Sequence, residues 1–270
     1  MNLYAISDLH LNHIANWNAL QNLPTFPEDW LIVAGDVAEN IVQFTQAMLL
    51  LSERFAQVFW TPGNHDLWTL PNDKFTARGV FKYTQLVAIC RKCGVLTPED
   101  PFVQWPGAGS PYWIVPTFTL YDYSFRPENV PLEAALDWAQ ETDVMCTDEV
   151  VLYPDPFSSR AEWCRSRCQY SEKRLLALPN QAPIILINHY PLRYDLVNLY
   201  RIPRFSLWCG SKQTEDWHVR FPVTAVIHGH LHIRGTHLRD GVQFKEVSLG
   251  YPQNWQPARG MAAYLHQILP

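Results

Sequence analysis

The chain has 270 residues, 47% of them hydrophobic, long enough to bury a sizeable core in one large domain. A formal net charge of -5 and a pI near 6.0 exclude recognition of nucleic acid through a broad basic face and leave only a local basic channel for it. The opening Met1-Asn2-Leu3-Tyr4-Ala5-Ile6 has no secretory pattern and no apolar run nears the roughly 20 residues of a membrane span, so a cytoplasmic protein without a membrane partner is expected.

Short apolar runs that stop abruptly at Asp, Asn or His recur along the chain. Leu3-Tyr4-Ala5-Ile6 runs into Asp8 and His10, and Trp30-Leu31-Ile32-Val33-Ala34 into Gly35-Asp36. A helix is expected from Ile41 to Phe55, after which Val58-Phe59-Trp60 leads to Gly63-Asn64-His65-Asp66. A second helix spans Val80 to Cys93 and is stopped by Gly94. The stretch from about 99 to 156 is rich in Pro, Trp and Tyr; it reads as an inserted or elaborated segment within one 1–270 domain, with Pro111 to Pro116 as a strand. A third helix runs from Ser159 to Leu178 and ends before Pro179. Ile184-Ile185-Leu186-Ile187 then reaches Asn188-His189, and Ala225-Val226-Ile227 reaches His228-Gly229-His230-Leu231-His232.

Apolar runs of this length bounded by Gly and Pro read as strands buried on both faces. Their alternation with helices implies an α/β class. In such sheets the carboxyl ends of the strands line the ligand crevice, so polar clusters far apart in sequence should converge there.

The junctions hold Asp8, His10, Asp36, Asn64, His189, His230 and His232, with His65 and Asp66 beside them. Imidazole and carboxylate ligands without thiolate suit Mn, Fe, Zn, Co or Ni in a catalytic site rather than a closed structural one. Seven candidate ligands with one shared carboxylate give each of two ions four protein bonds. Two divalent ions, two Asp ligands and a bridging hydroxide leave a charge of about +1, which favours a phosphate undergoing in-line displacement.

The ordered blocks Asp8-Leu9-His10, Gly35-Asp36, Gly63-Asn64-His65-Asp66, Asn188-His189 and Gly229-His230-Leu231-His232 resemble those of the calcineurin-like metallophosphoesterases, from residue 8 to residue 232. The resemblance implies a four-layer α/β/β/α sandwich and hydrolysis of a phosphate ester by a metal-bridging hydroxide. It also implies that Asp8, His10 and His232 hold one metal, that Asn64, His189 and His230 hold the other, and that Asp36 bridges them. His65 would then serve the scissile phosphate, with Asp66 orienting its ring.

A small or medium phosphodiester is the expected substrate. A phosphomonoester of a nucleotide or metabolite, a nuclease substrate, or a non-catalytic scaffold of the same fold are the alternatives. Tyr190, Arg193, Arg201 and Arg204 follow His189 on a Pro-punctuated loop and are candidates for phosphate contacts, against solvated surface charge as the alternative. His228 is expected to give a supporting hydrogen bond rather than a metal bond. Trp105, Tyr112, Trp113, Tyr121, Tyr123 and Phe125 are expected to pack rather than to stack on a substrate. Cys90 and Cys93, like Cys164 and Cys168, read as buried thiols.

Overall fold

Two sheets lie face to face. In the computed structural model, which describes residues 1–71, 77–109, 111–179 and 182–270, the strands in chain order are β1 (Leu3–Ile6), β2 (Phe26–Val33), β3 (Phe55–Trp60), β4 (Val103–Gln104), β5 (Trp113–Pro116), β6 (Ile184–Ile187), β7 (Val223–His228), β8 (Gly235–Arg239), β9 (Val242–Glu246) and β10 (His266–Leu269). The first sheet has the order β10-β1-β2-β3 and the second β4-β5-β6-β7-β9-β8. The pairs β1/β2, β2/β3, β5/β6, β6/β7 and β7/β9 are parallel, so their carboxyl ends point the same way within each sheet.

The helices are α1 (Ile14–Gln21), α2 (Ile41–Arg54), α3 (Asn64–Leu67), α4 (Gly79–Lys92), α5 (Ala135–Gln140), α6 (Asp148–Val151), α7 (Arg160–Leu176) and α8 (Trp217–Arg220). α2 starts where the Asn40 side chain accepts a hydrogen bond from the backbone N–H of Gln43. Its Phe44, Ala47, Met48 and Leu51 repeat at helical spacing and are buried. α7 begins in the same way, with Ser159 capping Glu162, and buries Trp163, Cys164, Cys168 and Leu175.

Strand periodicity divides the core. Ile32 and Ala34 of the first sheet meet Ile185, Ile187, Ala225 and Ile227 of the second in one cluster between the sheets. Leu31, Val33, Leu186 and Val226, one residue out of phase, join the other cluster with the buried faces of α2, α4 and α7. Both faces of each sheet are therefore covered, as the continuous apolar runs required, and the layers follow the α/β/β/α order. Shortening Leu51 or Leu186 to Ala costs about 2–5 kcal/mol.

The helices expected from the sequence end within two residues of their observed bounds. The strand expected over Pro111 to Pro116 begins at Trp113, where pairing with Ile184 starts. Among the described residues, no helix is long and apolar enough to cross a membrane, and the six cysteines are free thiols.

Candidate metal centre

The sheet edges end in strained backbone. Asp8, His10, Asp36, His230 and His232 all have positive φ, between 41° and 73°. Non-glycine residues adopt this left-handed region at a cost of order 1–3 kcal/mol and keep it where the surroundings demand it. Here the strain aims side chains from β1, β2 and the turn after β7 at one point. Gly63 and Gly229 permit the approach: a Cβ on Gly63 would overlap the Asp36 carboxylate, and one on Gly229 would overlap Asp8 Oδ2 and Ser7 Oγ.

The resulting groups are Asp8 with His10 and His232, His10 with Asp36 and His65, and Asp36 with His189 and His230, each set of ligand atoms lying within 4.8 Å. His10 Nε2 stands 3.0 Å from His232 Nε2, and His232 Nε2 lies 3.1 Å from Asp8 Oδ1. His189 Nδ1 donates to the Ala34 carbonyl at 2.8 Å, which turns Nε2 inward to 3.4 Å from Asp36 Oδ2.

Two atoms supply the test of fit for a metal. Among the described residues, Asn64 Oδ1 and His230 Nε2 are buried and have no hydrogen-bond partner. An orphaned buried acceptor is costly, and both belong to the residues that the family resemblance assigns to one metal. Burial, then neighbouring His65, pushes His10 down to about 3, while burial and His189 push His230 down to about 3. Both rings are thus neutral, the state a metal ligand needs. Burial also opposes the charge on His189, but the Asp36 carboxylate outweighs it and raises that ring to about 10.

Asp8 is fastened by hydroxyls. Ser7 Oγ donates to Asp8 Oδ2 at 2.5 Å and Ser248 Oγ donates to the same oxygen at 2.7 Å. Ser248 Oγ also contacts Glu246 Oε1. One hydroxyl has one proton, so both contacts are hydrogen bonds at once only when Glu246 is protonated. Burial and the nearby Asp8 charge raise its carboxyl to about 7, in agreement.

The environment of His65 differs from the expectation. Asp66 does not touch its ring: the buried carboxylate accepts the backbone N–H groups of Asp36, Val37, Ala38 and Gly63 and ties the second junction to the third. Glu39 Oε1 instead lies 3.1 Å from His65 Nδ1, and Trp68 packs on the ring with centroids 3.7 Å apart. Burial lowers the His65 pKa, but Asp36 and the Glu39 hydrogen bond reverse this and the ring is raised above its usual value. An acidic residue three positions after Asp36 was the only sequence signal for Glu39.

The loop candidates do not gather at the cluster. Arg193 pairs with Asp195 and Asp240, and Arg204 with Glu141 while lying over Trp138. Arg201 is exposed. Tyr190 is fully buried with its ring 4.7 Å from that of His230, a packing contact rather than a surface for substrate. His228 lies outside the metal-capable groups, with Nδ1 3.3 Å from the Gly229 carbonyl. Sequence reasoning missed Asp148, which holds Asn64, and Tyr251, which stacks on His10 at 4.5 Å. Neither residue sits in a recognisable block.

The fold and the junctions define a metal-dependent phosphoesterase. The chain belongs to the calcineurin-like phosphoesterase family, whose model matches residues 1–234. It is 45% identical over 270 residues to the acyl-carrier-protein phosphodiesterase PptH of Mycobacterium tuberculosis, covering 99% of this chain and 83% of that protein. The crystal structure of phosphopantetheinyl hydrolase (PptH) from Mycobacterium tuberculosis superposes with a TM-score of 0.95 at 44% identity, over 100% of this chain and 96% of that one. The family uses divalent metal ions, and the chain is a phosphoric ester hydrolase.

Proposed function

We propose that this protein hydrolyses the phosphodiester that joins a phosphopantetheine arm to a serine of an acyl carrier protein. The observation that carries the reading is the likeness to an acyl-carrier-protein phosphodiesterase over 99% of the chain. It replaces the expected free metabolite with a protein-attached ester, and it favours a diester over a monoester.

Two divalent ions would fit the donors: Asp8, His10 and His232 would hold one, Asn64, His189 and His230 the other, and Asp36 would be shared. The set of imidazole, carboxylate and amide oxygen suits Mn, Fe, Zn, Co or Ni. When bound, such ions polarise a phosphoryl group and acidify water.

The chain's own residues supply the rest. Ser7 and Ser248 hold Asp8 in one rotamer, and Ala34 fixes the tautomer of His189. His65, whose pKa is raised, lies beside the metal-capable atoms and gives a proton to the serine oxygen as water adds to phosphorus and the P–O bond to the carrier breaks. Glu39 and Trp68 hold that ring in place.

The test is incubation of metal-loaded protein with a phosphopantetheinylated carrier, read by intact mass. The reading expects loss of the phosphopantetheinyl group and release of phosphopantetheine. Turnover of bis-p-nitrophenyl phosphate combined with an unchanged carrier would overturn it.

A further inference from the structure

Behind the turn that carries His230 and His232 lies a second concavity. Its volume is about 260 Å³, with walls from Leu196, Leu231 and Ile233, an edge at Tyr200 and polar groups from His228 and Glu246. The last two are partners in the parallel register of β7 and β9, so the cavity opens at the carboxyl end of the second sheet, where the metal-capable cluster also sits. A single turn separates them: His230 and His232 belong to the cluster, while the alternate residues Leu231 and Ile233 line the cavity.

Three observations define an occupant. His228 is 1% exposed, its Nδ1 serves the Gly229 carbonyl, and its Nε2 has no partner among the described residues, which leaves a lone pair at the cavity wall for a donor. Tyr200 and Ile233 are 91% and 46% exposed although large and apolar, and they continue the apolar lining to the surface. Among the described residues no Lys or Arg lines the cavity, so it does not suit a second phosphate or the charged tail of a nucleotide. A neutral chain with branched apolar carbon and a few hydrogen-bond donors matches all three.

Resting on the carrier-protein reading above, we infer that this cavity is the subsite for the pantetheine arm of the substrate. The geminal dimethyl carbon packs among Leu196, Leu231 and Ile233, and a hydroxyl or amide N–H of the arm donates to His228 Nε2. The arm then leaves its phosphate at the cluster and its amide chain in the cavity, which distinguishes a phosphopantetheinyl ester from other diesters.

Pantetheine itself, which lacks the phosphate, is the probe. In metal-loaded wild-type protein it should inhibit competitively against the phosphopantetheinylated carrier. Leu196→Trp, which fills the cavity, should weaken that inhibition and raise KM for the carrier by about tenfold or more, with kcat little changed. Ile233→Lys, at a half-exposed position where folding is not at risk, should do the same. Pantetheine that fails to compete, or that inhibits both metal-replete variants as it does the wild type, overturns the subsite. Wild-type protein that leaves the carrier uncut overturns the parent reading instead. In that event titration calorimetry with pantetheine still decides the cavity: heat lost in Leu196→Trp and Ile233→Lys supports it, and heat retained in both removes it.

Discussion

Asp148 Oδ1 accepts a hydrogen bond from Asn64 Nδ2 at 3.0 Å, across 84 residues of chain. The same oxygen accepts the Trp68 indole N–H at 2.6 Å, and Trp68 packs on His65. One buried carboxylate oxygen thus sets the amide of a proposed metal ligand and, through Trp68, supports the ring of the proposed proton donor His65. Among the described residues, Asp148 Oδ2 has no hydrogen-bond partner. Since both donors meet Oδ1, Asp148→Asn can satisfy them with its carbonyl, whereas Asp148→Ala cannot. Asp148→Ala should lower affinity for one metal by about 10–100-fold, while Asp148→Asn should stay closer to wild type. Metal titration of both variants checks this, and equal loss in the two would remove the hydrogen-bond argument.

His65→Ala should keep the metals and lose about 10²-fold or more in kcat, as for a group that acts on a proton in the transition state. Metal analysis beside steady-state rates separates this from a ligand role. Abolished metal binding would reassign His65 as a ligand.

The raised pKa of His65 depends in part on Glu39. Glu39→Gln should therefore lower it, so the protonated ring disappears at a lower pH. The alkaline limb of the kcat profile should move to lower pH by a measurable fraction of a unit or more, while the acid limb is unaffected by this ring. A profile that moved the other way would contradict proton donation by His65.

His189 is raised to about 10 in the metal-free protein, so it carries a proton at pH 7. A metal that takes Nε2 must displace that proton, and its affinity should fall as pH drops from 10 toward neutrality. Calorimetry in buffers of different ionisation enthalpy should report proton release on metal binding at pH 7. Asp36→Asn removes the charge that holds the proton and the carboxylate shared between the two proposed sites. That variant should lose metal and activity together.

Gly229→Ala should fail at the metal site before it fails elsewhere. The new Cβ would overlap Asp8 Oδ2 and Ser7 Oγ, both buried and held by hydrogen bonds, so relief must come from moving Asp8. The expected result is a folded protein with metal affinity reduced by about tenfold or more. Thermal melts with and without added metal distinguish it from simple misfolding: the variant should lose most of the metal-dependent rise in Tm.

Much of this arrangement is legible in the chain itself. Each apolar run is long enough to be a strand and gives way to polar donors at its end, so the strands and the donors that follow them are written locally at Ile6/Asp8, Ala34/Asp36, Trp60/Asn64, Ile187/His189 and Ile227/His230. Hydrophobic period and chain breakers fix those positions without any long-range information. The partners of the cluster are of a different kind. Glu39, Asp148, Ser248 and Tyr251 sit in no pattern, because a hydrogen bond or ring contact made across a fold needs only one suitable atom at the right place. The misplaced role of Asp66 shows the same limit, since adjacency to His65 in sequence suggested a contact that the turn at Gly63 turns away.

The sequence by itself determined the α/β class, the strand ends and the donors gathered there, since each follows from local chemistry and periodicity. Only the tertiary structure decided which acid holds which ring, why the loop arginines are spent on Asp195, Asp240 and Glu141, and where a neutral cavity lies beside the cluster. Those are properties of the packing of two sheets, in which atoms more than two hundred residues apart come within hydrogen-bond distance, as in His232 and Asp8.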